Sequence, residues 1–522
     1  MGNEKIFSPP FFKRQWLWLF FYRTEHGYSL CSVYARRPCA CGFGRANSDA
    51  LSRWLIGERG WTRENELLVF QAVFSGDTKW ELDGGTIGYA FGAQTRNEQY
   101  VSDFWDIADR SVNPCPYTLP VSAALGLVSA DQLTPNCIAQ TAVAAFLAAS
   151  DEEQTERTVY SFFGELAIPL TEDVDIQAAL RFEDYGGNVG ASLDPKLAVN
   201  WRISQEWSLR GSASTTFRGP PQSILGGTGT ALSYVGPTGA FKAIDTVGNP
   251  NLSSESAVST NFGVIYQNDR FYGSLDWWSF AFEDSFQTES FNHIITAYSS
   301  NNCIDDGGAA TDSPVCNELR SHIFPEAAHT SLAATERIVI NWINGQDIDT
   351  SGVDLSLKYD FAEAFGGSFG LGFDATYLLE YERADQLDIS GTVTLASGGD
   401  LARFLNYNQG PSFTSKPELQ ANASLTFEND GHYAGLFIRH VGSYDDTGAP
   451  ADLSHLATID SHTTFDGHYV FAGIEDWTMS LSIVNIADED PPEARGDLAY
   501  DPFTHNAFGR LVKLGVTYSM EQ

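Results

Sequence analysis

The chain is poor in basic residues, poor in sulfur and free of long hydrophobic runs. Its 522 residues include 31 Lys+Arg against 67 Asp+Glu, with 7 Cys and 3 Met. A net charge of −36 leaves no basic footprint for a nucleic-acid backbone, so nucleic acid is not a partner. No stretch reaches the roughly 18 apolar residues that a membrane-spanning helix requires, which excludes a helical span. The 10 His are scattered; no H-E-x-x-H occurs, and no glycine loop has phosphate-binding spacing. A membrane β-barrel survives all these exclusions, because its strands alternate and keep mean hydropathy near neutral.

Alternation is what the chain does have. In WSLRGSASTTFRGPP, Trp207, Leu209, Gly211, Ala213, Thr215 and Phe217 fall on one side. Ser208, Arg210, Ser212, Ser214, Thr216 and Arg218 fall on the other. Successive side chains of a strand point to opposite faces, so this is a strand with one apolar or small face and one polar, cationic face. Gly219-Pro220-Pro221 ends it, since proline cannot donate to a ladder. The same pattern recurs in about 15 segments of roughly the 9–11 residues that a tilted barrel strand needs. They lie near 66–75, 86–98, 157–169, 174–184, 193–202, 207–217, 256–267 and 271–283. The remainder lie near 348–360, 368–381, 417–428, 431–442, 460–471, 476–486 and 508–518. Short polar turns alternate with long links at 99–156, 218–255, 284–347, 382–416, 443–459 and 487–507. Outer-membrane barrels put short turns on the periplasmic side and long loops outside, and this spacing predicts that arrangement.

Residues 1–64 stand apart. Residues 1–63 carry 10 Lys+Arg against 4 Asp+Glu, whereas the rest carries 21 against 63. Trp16–Tyr22 follows Lys13-Arg14 like the core of a signal peptide, but it is short and no small-x-small cleavage site follows. Cys31, Cys39 and Cys41 crowd this segment without a fourth ligand at metal-site spacing. The segment reads as foreign to the barrel, which is expected to occupy 65–522.

Several motifs in order bear a resemblance. Phe217-Arg218-Gly219-Pro220-Pro221 precedes Asn249-Pro250-Asn251-Leu252 and Glu255. Ser351-Gly352-Val353-Asp354-Leu355, Val484-Asn485-Ile486-Ala487-Asp488 with Pro491-Pro492, and Gly509-Arg510 follow. This series resembles the barrel portion of TonB-dependent outer-membrane receptors. The resemblance implies an all-β transmembrane antiparallel barrel, here incomplete, with about 15 of the family's 22 strands. It implies import of a scarce nutrient (a ferric siderophore, a cobalamin or an oligosaccharide) across the outer membrane of a Gram-negative bacterium. The plug and the segment that contacts TonB are not recognisable, so the chain is expected to be a plugless fragment, monomeric and surrounded by outer-membrane lipid. The rival readings are a plugless porin-like channel and a secreted β-rich adhesin or carbohydrate-binding protein.

Other candidates carry less. Cys115 with Cys137 and Cys303 with Cys316 sit on two separate outside loops and are the expected disulfides. Gly366-Gly367-Ser368-Phe369-Gly370 fits G-x-S-x-G, but an alternating strand follows where a nucleophile elbow needs a helix. No enzyme activity and no catalytic residue are expected. Asp305-Asp306, Asp445-Asp446 and Asp488-Glu489-Asp490 lack EF-hand spacing and read as solvated loop charge, so neither a metal site nor a cofactor is expected. Tyr234, Phe241, Tyr298 and Tyr407 could stack on a ligand, although the ligand-binding residues themselves are not identified. Arg210 and Arg218 are expected to face the lumen, there to pair with acidic neighbours or to meet an anionic ligand.

Overall fold

The computed structural model describes residues 60–105, 109, 150–305, 307–324, 326–361, 363, 366–384, 386–387, 393–395, 407–408, 415–446, 457–495 and 498–519. Fifteen strands form one antiparallel sheet, each paired with its neighbour in the chain. They are β1 (Trp61–Leu82), β2 (Gly85–Phe104), β3 (Glu153–Thr171), β4 (Val174–Asp184) and β5 (Ala191–Arg202). Next come β6 (Trp207–Arg218), β7 (Glu255–Gln267), β8 (Phe271–Glu283), β9 (Ile348–Asp360) and β10 (Ser368–Arg383). Last are β11 (Leu419–Asn429), β12 (His432–Val441), β13 (His462–Ile474), β14 (Trp477–Val484) and β15 (Leu511–Tyr518). Among the described residues β1 and β15 do not pair with each other, so the sheet has two free edges.

Every strand expected from alternation is present, and long and short connections alternate between the described strands except after β4, where residues 185–190 make a short link on the side of the long loops. The short ends are built by side chains that mimic backbone acceptors. Asn268 Oδ1 accepts from Arg270 N at 3.0 Å and Phe271 N at 2.9 Å. Ser204 Oγ accepts from Glu206 N and Trp207 N at 3.2 and 3.1 Å. Two boundaries differ from expectation. β1 begins at Trp61, ahead of residue 65, and it runs on past 75, the expected end of the first strand, to Leu82. A register shift between Asp77 and Glu81 breaks the alternation there while the ladder continues, leaving a turn of two residues.

The wall is apolar outside and polar inside. Leu180, Phe182, Leu193, Leu197, Trp201, Trp207, Phe262, Leu275 and Trp277 are exposed, as a lipid-facing surface requires. Cross-strand register puts Gln177, Ala198 and Ser212 on one level of the opposite face, with Asp175, Asn200 and Arg210 on the next.

Two long loops, 219–254 and 284–347, fold together into a module with its own core. Strand Ala240–Val247 pairs parallel with Arg337–Asn344, joining the loops. Thr228–Val235, Phe286–Thr288 and Ile323–Phe324 complete a small sheet. Helices α1 (Phe291–Ser300) and α2 (Pro314–Ser321) pack on it. Ser290 and Ser313 cap them, accepting from His293 N and Cys316 N, and Pro314 takes a first-turn position where no donor is needed. Ile244, Ile295, Tyr298, Leu319, Ile323 and Ile338 form the buried core. The Arg337–Asp245 ion pair, 2.7 Å apart and shielded from water, fastens the parallel strands together. Cys303 and Cys316 are disulfide-bonded inside this core. Cys31, Cys39, Cys41, Cys115 and Cys137 lie outside the described residues.

Replacing Cys303 and Cys316 together by serine is expected to destabilise the module by about 3 kcal/mol on the chain-entropy account. Protease cleavage within 284–347 should accelerate while the strands of the wall stay protected. Equal loss of protection in wall and module would contradict an independent core.

Candidate functional site

The family-like motifs prove to be partners of one another. Arg218, from the FRGPP end of β6, pairs with Glu255 at the start of β7, Nε to Oε1 at 2.6 Å and Nη2 to Oε2 at 2.8 Å. Tyr185 lies against Gly219, where any Cβ would overlap the ring. Arg157 donates to the Pro220 carbonyl at 2.7 Å and stacks over Tyr185 at 4.7 Å, with Arg96 over the same ring at 5.1 Å. Glu98 and Glu183 neutralise these two arginines. Asn249 and Asn251 hold the following turn: Asn249 donates to the Trp342 carbonyl at 2.8 Å, and Asn251 accepts from Asn188 at 2.8 Å.

Lower on the lumen face, Arg210 reaches across β7 to Asp276 on β8. Nε and Nη2 donate to the two carboxylate oxygens at 2.7 and 2.5 Å. The strand between them offers Gly263 at that level, where a Cβ would overlap the Asp276 carboxylate. Both expected lumenal arginines are thus held by acidic neighbours.

The carboxy-terminal motifs work in the same way. Asn485, in the left-handed region at φ 53°, accepts from Glu489 N and donates to the Glu489 carbonyl. Its N–H donates to Asp466, which also holds Arg439. Asp488 accepts from Arg510 N at 2.7 Å, and the two side chains pair at 3.2 Å. Above them runs a polar chain that no sequence pattern disclosed. Asp501 accepts from Tyr444 Oη at 2.8 Å, Tyr444 meets His505 Nε2 at 3.0 Å, and His505 Nδ1 lies 3.2 Å from His462 Nδ1. Burial, then the neighbouring His462, push His505 down from 6.5 to about 4, so the ring is neutral at pH 7. Burial raises Asp501, but hydrogen bonds from Ser415 and Tyr444 outweigh it and keep the carboxylate ionised.

The lumen face also carries a half-buried aromatic row. Trp278, Phe280 and Phe282 alternate along β8 on the lumen face, centroids 5.7 and 5.9 Å apart, rising toward the loop module. Gly352, from the Ser351–Leu355 motif, permits this by leaving room for the Trp278 ring. Of the loop aromatics considered, Tyr234 and Phe241 stack edge-on and are exposed. Tyr298 is instead fully buried and donates to the His329 carbonyl at 3.0 Å, so it is core and not a ligand contact. The Tyr407 side chain is outside the described residues.

Gly366 adopts φ 77° in a turn and Ser368 opens β10, so G-x-S-x-G is no nucleophile elbow. Asp305 caps its own turn through Gly307 N and Ala309 N, and Asp446 accepts from Arg495 N. Asp306 lies outside the described residues.

A fifteen-stranded antiparallel wall with an apolar exterior, a charged lumen and long loops on one side defines a transmembrane β-barrel of the receptor type. The chain belongs to the family described as TonB dependent receptor-like, beta-barrel, whose model matches residues 20–486. A curated relative, the probable TonB-dependent siderophore receptor PirA of Acinetobacter baumannii, is 24% identical over 184 residues, 35% of this chain and 24% of that protein. The solved siderophore receptor PirA from Acinetobacter baumannii superposes with a TM-score of 0.55 at 14% identity, covering 88% of this chain and 55% of that one. A variant of the ferric enterobactin receptor PfeA from Pseudomonas aeruginosa gives 0.54 at 12%, covering 87% and 54%. The chain therefore spans about half the length of these solved receptors, and the likeness is one of fold.

Gly263→Ala is expected to cost about 1–3 kcal/mol, the usual range for overpacking, by prising Arg210 from Asp276. Gly211→Ala, where the nearest atom to the new Cβ is 3.7 Å away, should change stability little. Thermal unfolding in detergent compares the two. Equal effects would contradict the cross-strand clamp.

Proposed function

We propose that this chain forms the wall and outer vestibule of an outer-membrane receptor for a ferric siderophore, working in TonB-energised uptake. The observation that carries this reading is the lumenal row Trp278–Phe280–Phe282 directly beneath the loop module. Flat aromatic side chains on a rigid strand suit an aromatic iron chelate, since each ring pair adds about 0.5–1.5 kcal/mol beyond area burial. The names of the relatives support the same class: siderophore receptors, and a ferric enterobactin receptor solved in complex with enterobactin. Loops would capture the chelate, the aromatic row would hold it, and the paired arginines would keep the surrounding wall rigid. Outer-membrane lipid would cover the apolar exterior of a monomeric receptor. Uptake itself would involve the TonB system.

Equilibrium binding to the full chain in detergent micelles tests the reading, with iron-labelled ferric enterobactin and ferric trihydroxamate beside cobalt-labelled cobalamin and a tritiated oligosaccharide. Saturable ferric enterobactin binding is expected, weakened roughly 2- to 10-fold by Trp278→Ala. Binding of cobalamin or oligosaccharide alone, or of no ferric chelate, would overturn it.

A further inference from the structure

A second site lies at the rim of β2 and β3, away from the aromatic row. Register sets Ser102 opposite Glu153 and Tyr100 opposite Thr155, which makes Ser102, Glu153 and Thr155 neighbours on the lumen face. The turn Gln222–Ile224, which follows FRGPP directly, packs over them. Ser102 is only 3% exposed. Its Oγ, Glu153 Oε1, Thr155 Oγ1 and Gln222 Nε2 are all buried without a hydrogen-bond partner among the described residues. Polar atoms concentrated in this way mark a place for a polar guest.

The place is built. Gly226 N–H donates to the Glu153 carboxylate. A Cβ on Gly226 or Gly227 would come within 3.0 Å of its oxygens, and Gly227 adopts φ +69°. Gly248 packs against the Gly226 backbone, closing the floor. The resulting cavity, about 190 Å³, is bounded by Ser102, Asp151, Glu153, Gly226, Trp342 and Arg63. Asp151 and Glu153 against Arg63 leave its charged lining at a net −1. Of the free atoms, Glu153 Oε1 and Ser102 Oγ line this cavity, together with Asp151 and the hydroxyl residues Ser150, Ser223 and Thr228, while Thr155 and Gln222 lie outside its lining. This set contains no sulfur or imidazole, and oxygen-only sets favour hard cations.

We propose that this cavity binds a calcium-class divalent cation that ties β3 to the glycine-rich turn after FRGPP and so fixes the outer rim. The proposal does not depend on which nutrient the aromatic row accepts.

Terbium(III) titrated into the full chain in micelles provides the test, because Trp342 lines the cavity and sensitises terbium emission. A saturable component is expected, displaced by calcium at about 10⁻⁴ to 10⁻³ M, the range of extracellular calcium modules. Ser102→Ala and Glu153→Gln should each weaken it at least tenfold. Glu156→Gln, which alters an exposed carboxylate bonded to Asn97, should not. Ser102→Ala removes a single hydroxyl and keeps the test valid if Glu153→Gln fails to fold. No saturable component, or one that survives both cavity variants, overturns the proposal and leaves the cavity to water.

Discussion

The backbone ladder is the constraint on which everything else depends. In hydrocarbon no water is available, and each unsatisfied N–H or C=O costs several kcal/mol, so a spanning segment must pair along its length with neighbours. The thirteen inner strands meet this through sequential pairing on both sides, with register shifts at points such as Asp77/Glu81 and Ser351/Gly352, while β1 and β15 each have one paired neighbour among the described residues. Once the ladder is fixed, alternation forces every second residue into lipid and the rest into the lumen. Charge can then sit only inside, and it must be neutralised there across strands.

That second requirement explains the motifs. Arg218 with Glu255 joins the end of β6 to the start of β7, Arg510 with Asp488 joins the approach to β15 to the loop after β14, and Asn485 just past β14 is held by Asp466 within β13. They stand where long loops leave the wall and the ladder can no longer hold the chain. Arg210 and Asp276 do the same within the wall, and Gly263 is the residue that lets the pair meet over an intervening strand. The motifs shared with receptors are, in this chain, fastenings of the scaffold.

The wall was legible because a period of two, interrupted by Asn, Ser and Gly turns, has one physical meaning. β1 was read too short because its register shift mixes the two faces. The loop module was not legible. Its strands are eight residues or fewer, and its decisive contact is a parallel pairing of Ala240–Val247 with Arg337–Asn344, far apart in sequence. Tyr298 misled for the same reason: an aromatic in a long loop reads as available, whereas a capped helix turns it into the module's core. The lumenal arginines were placed correctly by alternation, but their partners lie one or two strands away, where sequence carries no distance. Trp278, Phe280 and Phe282 could have been picked out by their spacing of two. Trp277, on the lipid face, interrupts that spacing in the sequence and gives an unbroken aromatic pair with Trp278.

Spin labels at successive positions 208–216 of β6, in a cysteine-depleted background within lipid vesicles, test the central claim that this sheet spans a membrane with the assigned faces. Oxygen accessibility should peak at 209, 211, 213 and 215, and a water-soluble nickel complex should reach 208, 210, 212, 214 and 216. The opposite phase, or accessibility that does not alternate, would contradict the account.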